Sequence, residues 1–246
     1  MTFEAIYPPL IGLVTAYLAA GLAVFMTKGA YRIEADETIG DLNLFRLMAV
    51  VCAATLPFFM YANTEIGRVL PALVAVLAAA AYSDKKQFFC PDMLMLPLAL
   101  LSVWYGYVYG GLSLFGNLIP VMIGAAVVFV ALHVAFVFAM SKFPSLPVVP
   151  PSDIFFFVLP VVWFGTGIWA CVAMAGVIVM IFVARLFPAF VIWLSDQELA
   201  AEVKAELSGD GKGEAEAGAG PAVPYLALLF PAYWLALMAH MIVEII

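Results

Sequence analysis

Apolar residues run along this chain in long blocks, separated by short polar segments. A block of about 20 apolar residues is the length an α-helix needs to cross the hydrocarbon of a bilayer. By that criterion the sequence predicts helices near 5–27, 44–62, 67–83, 93–110, 114–140, 154–166, 167–187 and 222–246. The 154–166 block is short, and Gly165-Thr166-Gly167 marks a tight turn between it and the next. Pro71 falls near the start of its block, where a first helical turn tolerates proline. The predicted fold class is all-α: a polytopic membrane helix bundle with about eight transmembrane helices.

Composition supports the same class. The chain has 246 residues, 66% hydrophobic and 11% charged, with a mean hydropathy of +1.11. A soluble domain is only about half apolar. The net charge of −7 sits in loops and a tail, and the ten basic residues are dispersed, which argues against a nucleic-acid partner. Cys52, Cys90 and Cys171 are far apart and form no C-x-x-C pair, so neither a zinc site nor a thioredoxin-like motif is indicated. They read as inert thiols in or beside apolar segments. Glu4, with no basic residue ahead of the apolar run from Ile6 to Met26, argues for a permanent helix over a cleaved signal peptide.

Lys and Arg set the orientation. With an outside N-terminus, the inside segments hold Lys28, Arg32, Arg46, Lys85, Lys86, Lys142, Arg185, Lys204 and Lys212, and only Arg68 falls outside. Trp104, Tyr105, Tyr107 and Tyr109 gather at the outer end of the 93–110 helix, as an interfacial aromatic belt would. The stretch 195–221 differs from the rest. Ser195-Asp196-Gln197-Glu198 has the capping-box pattern of a short polar helix. Ser208 to Gly220, rich in Gly, Ala and Glu, reads as a flexible cytosolic linker.

Two acids stand at the edges of apolar blocks on the cytosolic side, Asp84 and Asp153. A carboxylate next to hydrocarbon is costly and calls for a partner. Spacing alone leaves two readings of Asp84: an interfacial acid paired with Lys85 or Lys86, or half of a carboxyl dyad. It leaves two for Asp153 as well: an N-cap on the 154–166 helix assisted by Ser152, or the other half of that dyad. Two carboxyls sharing one proton are the machinery of aspartic proteolysis. His133 and His240, inside helices, are read as histidines bonded to neighbouring helices.

Three blocks give these acids a context. Asp84 is followed by Lys85-Lys86-Gln87, then Cys90-Pro91-Asp92, with the proline seven residues on. Asp153 stands in Pro150-Pro151-Ser152-Asp153-Ile154, with Trp163 and Gly165 beyond it, and Val223-Pro224-Tyr225 opens the last helix. In these blocks the chain resembles the type IV prepilin peptidases, membrane aspartic peptidases that process pilins and secretion pseudopilins. The resemblance covers about residues 67–246, as a prepilin-peptidase-like membrane domain, with residues 1–66 supplying two preceding helices and a short cytosolic loop.

The resemblance implies a multi-pass protein of the bacterial inner membrane, with Asp84 and Asp153 as the catalytic pair. It implies no metal and no organic cofactor, and prepilin or pseudopilin proteins in the lipid bilayer as substrates. Cleavage would follow a glycine in a basic leader. Glu34, Asp36, Glu37 and Asp41 offer charge that could attract such a leader, but as an acidic loop they read first as a solvated surface. The chain departs from the family at two points. Pro150 and Ser152 replace both glycines of Gly-x-Gly-Asp, and Phe155 stands in place of a lysine. The segment from Thr27 to Asn43 is short and lacks the cysteine-rich loop of longer relatives, so no N-methylating activity is expected. The alternatives are a catalytically degenerate relative acting in pilus or secretion assembly, and a small membrane transporter.

Overall fold

The structure is a computed structural model describing residues 17–29, 43–61, 65–87, 90–110, 151–165, 168–186 and 225–245, with single helical positions at 14 and between 119 and 138. Every regular element among the described residues is helical. Residues 17–29 form α1. Helix α2 covers Leu44–Thr55 and passes into a 3-10 helix over Leu56–Tyr61; α3 covers Glu65–Gln87, α4 Asp92–Gly110, α5 Pro151–Phe164, α6 Ile168–Leu186 and α7 Tyr225–Ile245. The stretch 195–221 and the acidic residues 34–41 lie outside the described residues.

Local chemistry sets the ends of these elements. Asn43 caps α2, its Oδ1 accepting the Arg46 N–H at 3.0 Å. Gly165 ends α5 in the left-handed region, at φ 60°, and donates its N–H to the Val161 carbonyl at 2.9 Å, as the glycine turn at this place predicts. Two boundaries differ from the expectation. Helix α3 continues past its apolar block to Gln87, because Lys85 and Lys86 in its last turn suit the negative end of the helix dipole. Asp84 is therefore inside the helix and not beyond it. Helix α5 starts at Pro151, since proline suits a first helical position. Asp153 is thus the third residue of that helix, not its N-cap.

Five helices close into a ring, α3 to α4 to α5 to α6 to α7 and back to α3, with α2 packed on α3. Helix α3 is enclosed along most of its length. From Leu70 to Asp84 every residue but Ala72 is buried, and the run Ala78–Ala81 lets its neighbours approach closely. One continuous core joins Ala20, Leu47 and Val51 of the first helices to Leu73, Leu98, Phe156, Ala173 and Leu229. Helices α4 and α5 cross at Gly106, where a β-carbon would overlap the Val162 carbonyl oxygen.

Prolines shape the polar contacts within this core. An interior proline has no N–H and frees the carbonyl four residues earlier. Pro160 in α5 frees the Phe156 carbonyl, and the buried Tyr233 hydroxyl of α7 donates to it. Pro57 cannot donate to the Ala54 carbonyl in the 3-10 register, and Trp234 Nε1 of α7 does so instead, at 2.9 Å. Adjacent residues on α7 thus fasten it to α5 and to α2. Near its far end, His240 Nδ1 and the Tyr105 hydroxyl of α4 share a buried hydrogen bond of 3.0 Å. The sequence reading of His240 as a histidine bonded to a neighbouring helix holds; His133 lies outside the described residues.

Candidate active site around Asp84

The first N–H groups of a helix have no partner within it. A residue with a side-chain acceptor usually caps them, but Pro224, which precedes α7, has none. Asp84 supplies the missing acceptor from another helix. Its Oδ2 accepts the Ala227 N–H at 3.0 Å, and the Leu226 N–H adds a second bond. Asp84 is 7% exposed, the only acidic side chain buried among the described residues. Burial raises its pKa from 3.8 to about 6, and the bonds from Ala227 and Leu226 hold it from going higher. Asp84 lies beyond the 67–83 apolar block, at the end of α3 that meets the start of α7.

Other polar groups gather at this end. The Ser83 Oγ and the Tyr82 hydroxyl are buried, with no hydrogen-bond partner among the described residues. Lys85 and Lys86 are half-buried. Asp92 is exposed in the first turn of α4, where it suits the helix dipole. Cys90 Sγ lies 3.7 Å from Met95 Sδ.

The Asp153 side chain lies outside the described residues, but its backbone position is informative. Residues four apart share a helix face, so position 153 lies one turn before Phe157 on α5. The Phe157 ring meets the ring of Tyr225, the first residue of α7, at 6.3 Å. Position 153 therefore lies on the face of α5 that packs against the turn capped by Asp84. Asp84 thus caps the first turn of α7 from α3, and Phe157, one helical turn beyond position 153, meets that turn from α5.

Trp163 is buried and packs edge-on against Tyr233 at 5.4 Å. It supports the α5–α7 contact. Sequence reasoning missed the backbone donors Leu226 and Ala227. The one available signal was Pro224 opening an apolar helix without a capping side chain. No group of three or more His, Cys, Asp or Glu that would hold a metal occurs among the described residues. Comparison with family models, curated proteins and solved structures gives no match.

Proposed function

We propose that this protein is a multi-pass membrane aspartic endopeptidase that cuts the leader of prepilin-like proteins at the cytosolic face of the bacterial inner membrane. The observation that carries this reading is the buried Asp84 carboxylate at the first turn of α7, with position 153 on the face of α5 that meets the same turn. The membrane part draws on the outer faces of the ring. Leu96, Leu100 and Trp104 on α4, Val172 and Val179 on α6, and Leu235 and Ile242 on α7 are all exposed, although the interior is apolar too. Helices apolar on every side suit lipid surroundings. Tyr225–Val243 is long and apolar enough to span; Leu44–Phe58, Asp92–Val108, Phe155–Phe164 and Ile168–Met180 are shorter apolar stretches. The bundle of about eight spans with an outside N-terminus belongs to this proposal, and follows from the block lengths and the Lys and Arg distribution.

The chemistry is peptide hydrolysis. One carboxylate takes a proton from water as the water oxygen bonds to the scissile carbonyl carbon. The other, protonated, gives its proton to the carbonyl oxygen. The tetrahedral diol then collapses. A diol hydroxyl returns its proton to the carboxylate that gave one, the C–N bond breaks, and the departing nitrogen takes the proton drawn from water. Net, one water is consumed and both carboxyls return to their starting states.

A second reading, a non-cleaving relative that assists assembly, is favoured by Pro150 and Ser152 in place of glycines. The discriminating experiment incubates membranes containing the protein with a prepilin-like substrate and reads the product by mass spectrometry. A new N-terminus created after a glycine of the leader supports the peptidase. An intact substrate beside fully inserted protein supports the second reading.

A further inference from the structure

We infer that Tyr233 and Trp234 are positioning residues for Asp84: their hydrogen bonds to α5 and α2 set the height of α7 along its axis, and so bring the Leu226 and Ala227 N–H groups onto the Asp84 carboxyl. The inference rests on the peptidase reading for Asp84 as a reacting group.

The contact at Asp84 demands a definite height of α7. Apolar packing is non-directional, whereas a hydrogen bond holds only over a narrow range of distance and angle. A slip of one residue moves a helix by about 1.5 Å along its axis and turns it by about 100°. That would take the Ala227 N–H, now 3.0 Å from Oδ2, off the carboxyl.

Tyr233 and Trp234 supply two directional bonds close to that contact. The Tyr233 hydroxyl donates to the Phe156 carbonyl of α5, and Trp234 Nε1 donates to the Ala54 carbonyl of α2 at 2.9 Å. Both acceptors are backbone atoms, which cannot rotate to follow α7 as a side chain would. The donors are adjacent on α7, so they hold it from two sides. Both lie within two turns of Ala227, and the His240–Tyr105 bond lies about two turns further on. Pro231 stands between and gives no N–H to the Ala227 carbonyl. Helix α7 nevertheless runs unbroken from Tyr225 to Ile245, so its first turns move together.

The test uses full-length protein in lipid nanodiscs. Tyr233→Phe and Trp234→Phe each remove one donor and keep a ring. The first readout is the infrared band of the protonated carboxyl that Asp84→Asn lacks, followed against pH. N–H bonds favour the charged carboxylate, so a first turn that sits off Asp84 raises the midpoint. Each variant should raise it by up to about one pH unit, the scale of a hydrogen bond to a charged group. The cations at this end are Arg46, Lys85, Lys86 and Arg185, the other acids Asp92 and Asp153, and the tyrosines Tyr82 and Tyr225; neither variant alters them.

Two controls separate positioning from stability. Gly106→Ala strains the α4–α5 crossing and should lower the melting temperature with the midpoint unmoved. Adding Pro160→Ala to Tyr233→Phe returns an N–H to the Phe156 carbonyl but not the bond to α7. Stability should recover while the midpoint stays displaced. A midpoint unmoved in both single variants overturns the inference, as does one that Gly106→Ala moves equally. So does a midpoint that Pro160→Ala restores, which would make stability the cause. The second readout is the pH profile of kcat/KM on a prepilin-like substrate, one limb of which should move with the infrared midpoint. A midpoint that moves while no substrate is cut, or while the profile stays fixed, supports the positioning contact and overturns the peptidase reading instead.

Discussion

The Tyr233 hydroxyl donates to the Phe156 carbonyl, the one carbonyl of α5 that Pro160 leaves without its helical partner. The bond joins α7 to α5 next to the Trp163–Tyr233 ring contact. Tyr233→Phe keeps the ring and leaves that buried carbonyl unsatisfied, which costs about 1–3 kcal/mol. Pro160→Ala restores the missing N–H, so the double variant should recover a substantial part of the loss. Thermal unfolding of the two single variants and the double variant in one detergent measures the coupling.

Gly106→Ala should be more damaging than its small size suggests. The added methyl has no room before the Val162 carbonyl oxygen, and that oxygen belongs to the backbone of α5. Helices α4 and α5 would have to separate, at a cost of about 1–3 kcal/mol for overpacking. Gly21→Ala is the control, because nothing lies within 4 Å of a β-carbon there. Comparing the melting temperatures of the two variants checks the expectation.

Asp84 also makes stability depend on pH. Its folded pKa of about 6 lies above the 3.8 of the free side chain, so the folded state holds a proton that the unfolded state has lost within that window. Stability from this group is highest below pH 3.8 and falls as pH rises through about 6. The scale of the fall is about 3 kcal/mol at 1.36 kcal/mol per pH unit. Asp84→Asn should lack it. The difference in unfolding free energy between wild type and variant, taken at several pH values from 4 to 7, should therefore slope against the wild type.

How far these relationships were legible in the sequence depended on their range. Among the described residues, block lengths located the helices, since a span of apolar residues needs only local composition. Helix α4, expected at 93–110, covers Asp92–Gly110, and α6, expected at 167–187, covers Ile168–Leu186. The ends of α3 and α5 were misjudged because polarity was treated as a helix stop. Ser83 to Gln87 are polar yet helix-compatible, and Pro151 suits the start of a helix. The Tyr233–Phe156 bond, 77 positions apart, was not foreseen either. The Asp84–Ala227 contact joins residues 143 positions apart, and no local pattern encodes it.

The proposed topology makes a separate prediction. A reporter fused at Gly211, between α6 and α7, should read as cytosolic, on the same side as Lys85 and Lys86. A periplasmic reading would remove the site from the cytosolic face and with it the encounter with a basic leader.

The central claim is that Asp84 and Asp153 work as one proton-sharing pair. Its most direct test is cleavage of a co-expressed prepilin-like protein by wild type, Asp84→Asn, Asp153→Asn and Asp92→Asn, with membrane insertion measured for each. Asparagine keeps the shape of aspartate but cannot carry the shared proton, so either dyad variant should lose cleavage almost completely while still inserting. Asp92→Asn should retain much of the activity, because Asp92 is exposed at a helix start. Cleavage that survives in Asp84→Asn or Asp153→Asn would contradict the claim, as would equal loss from Asp92→Asn alone.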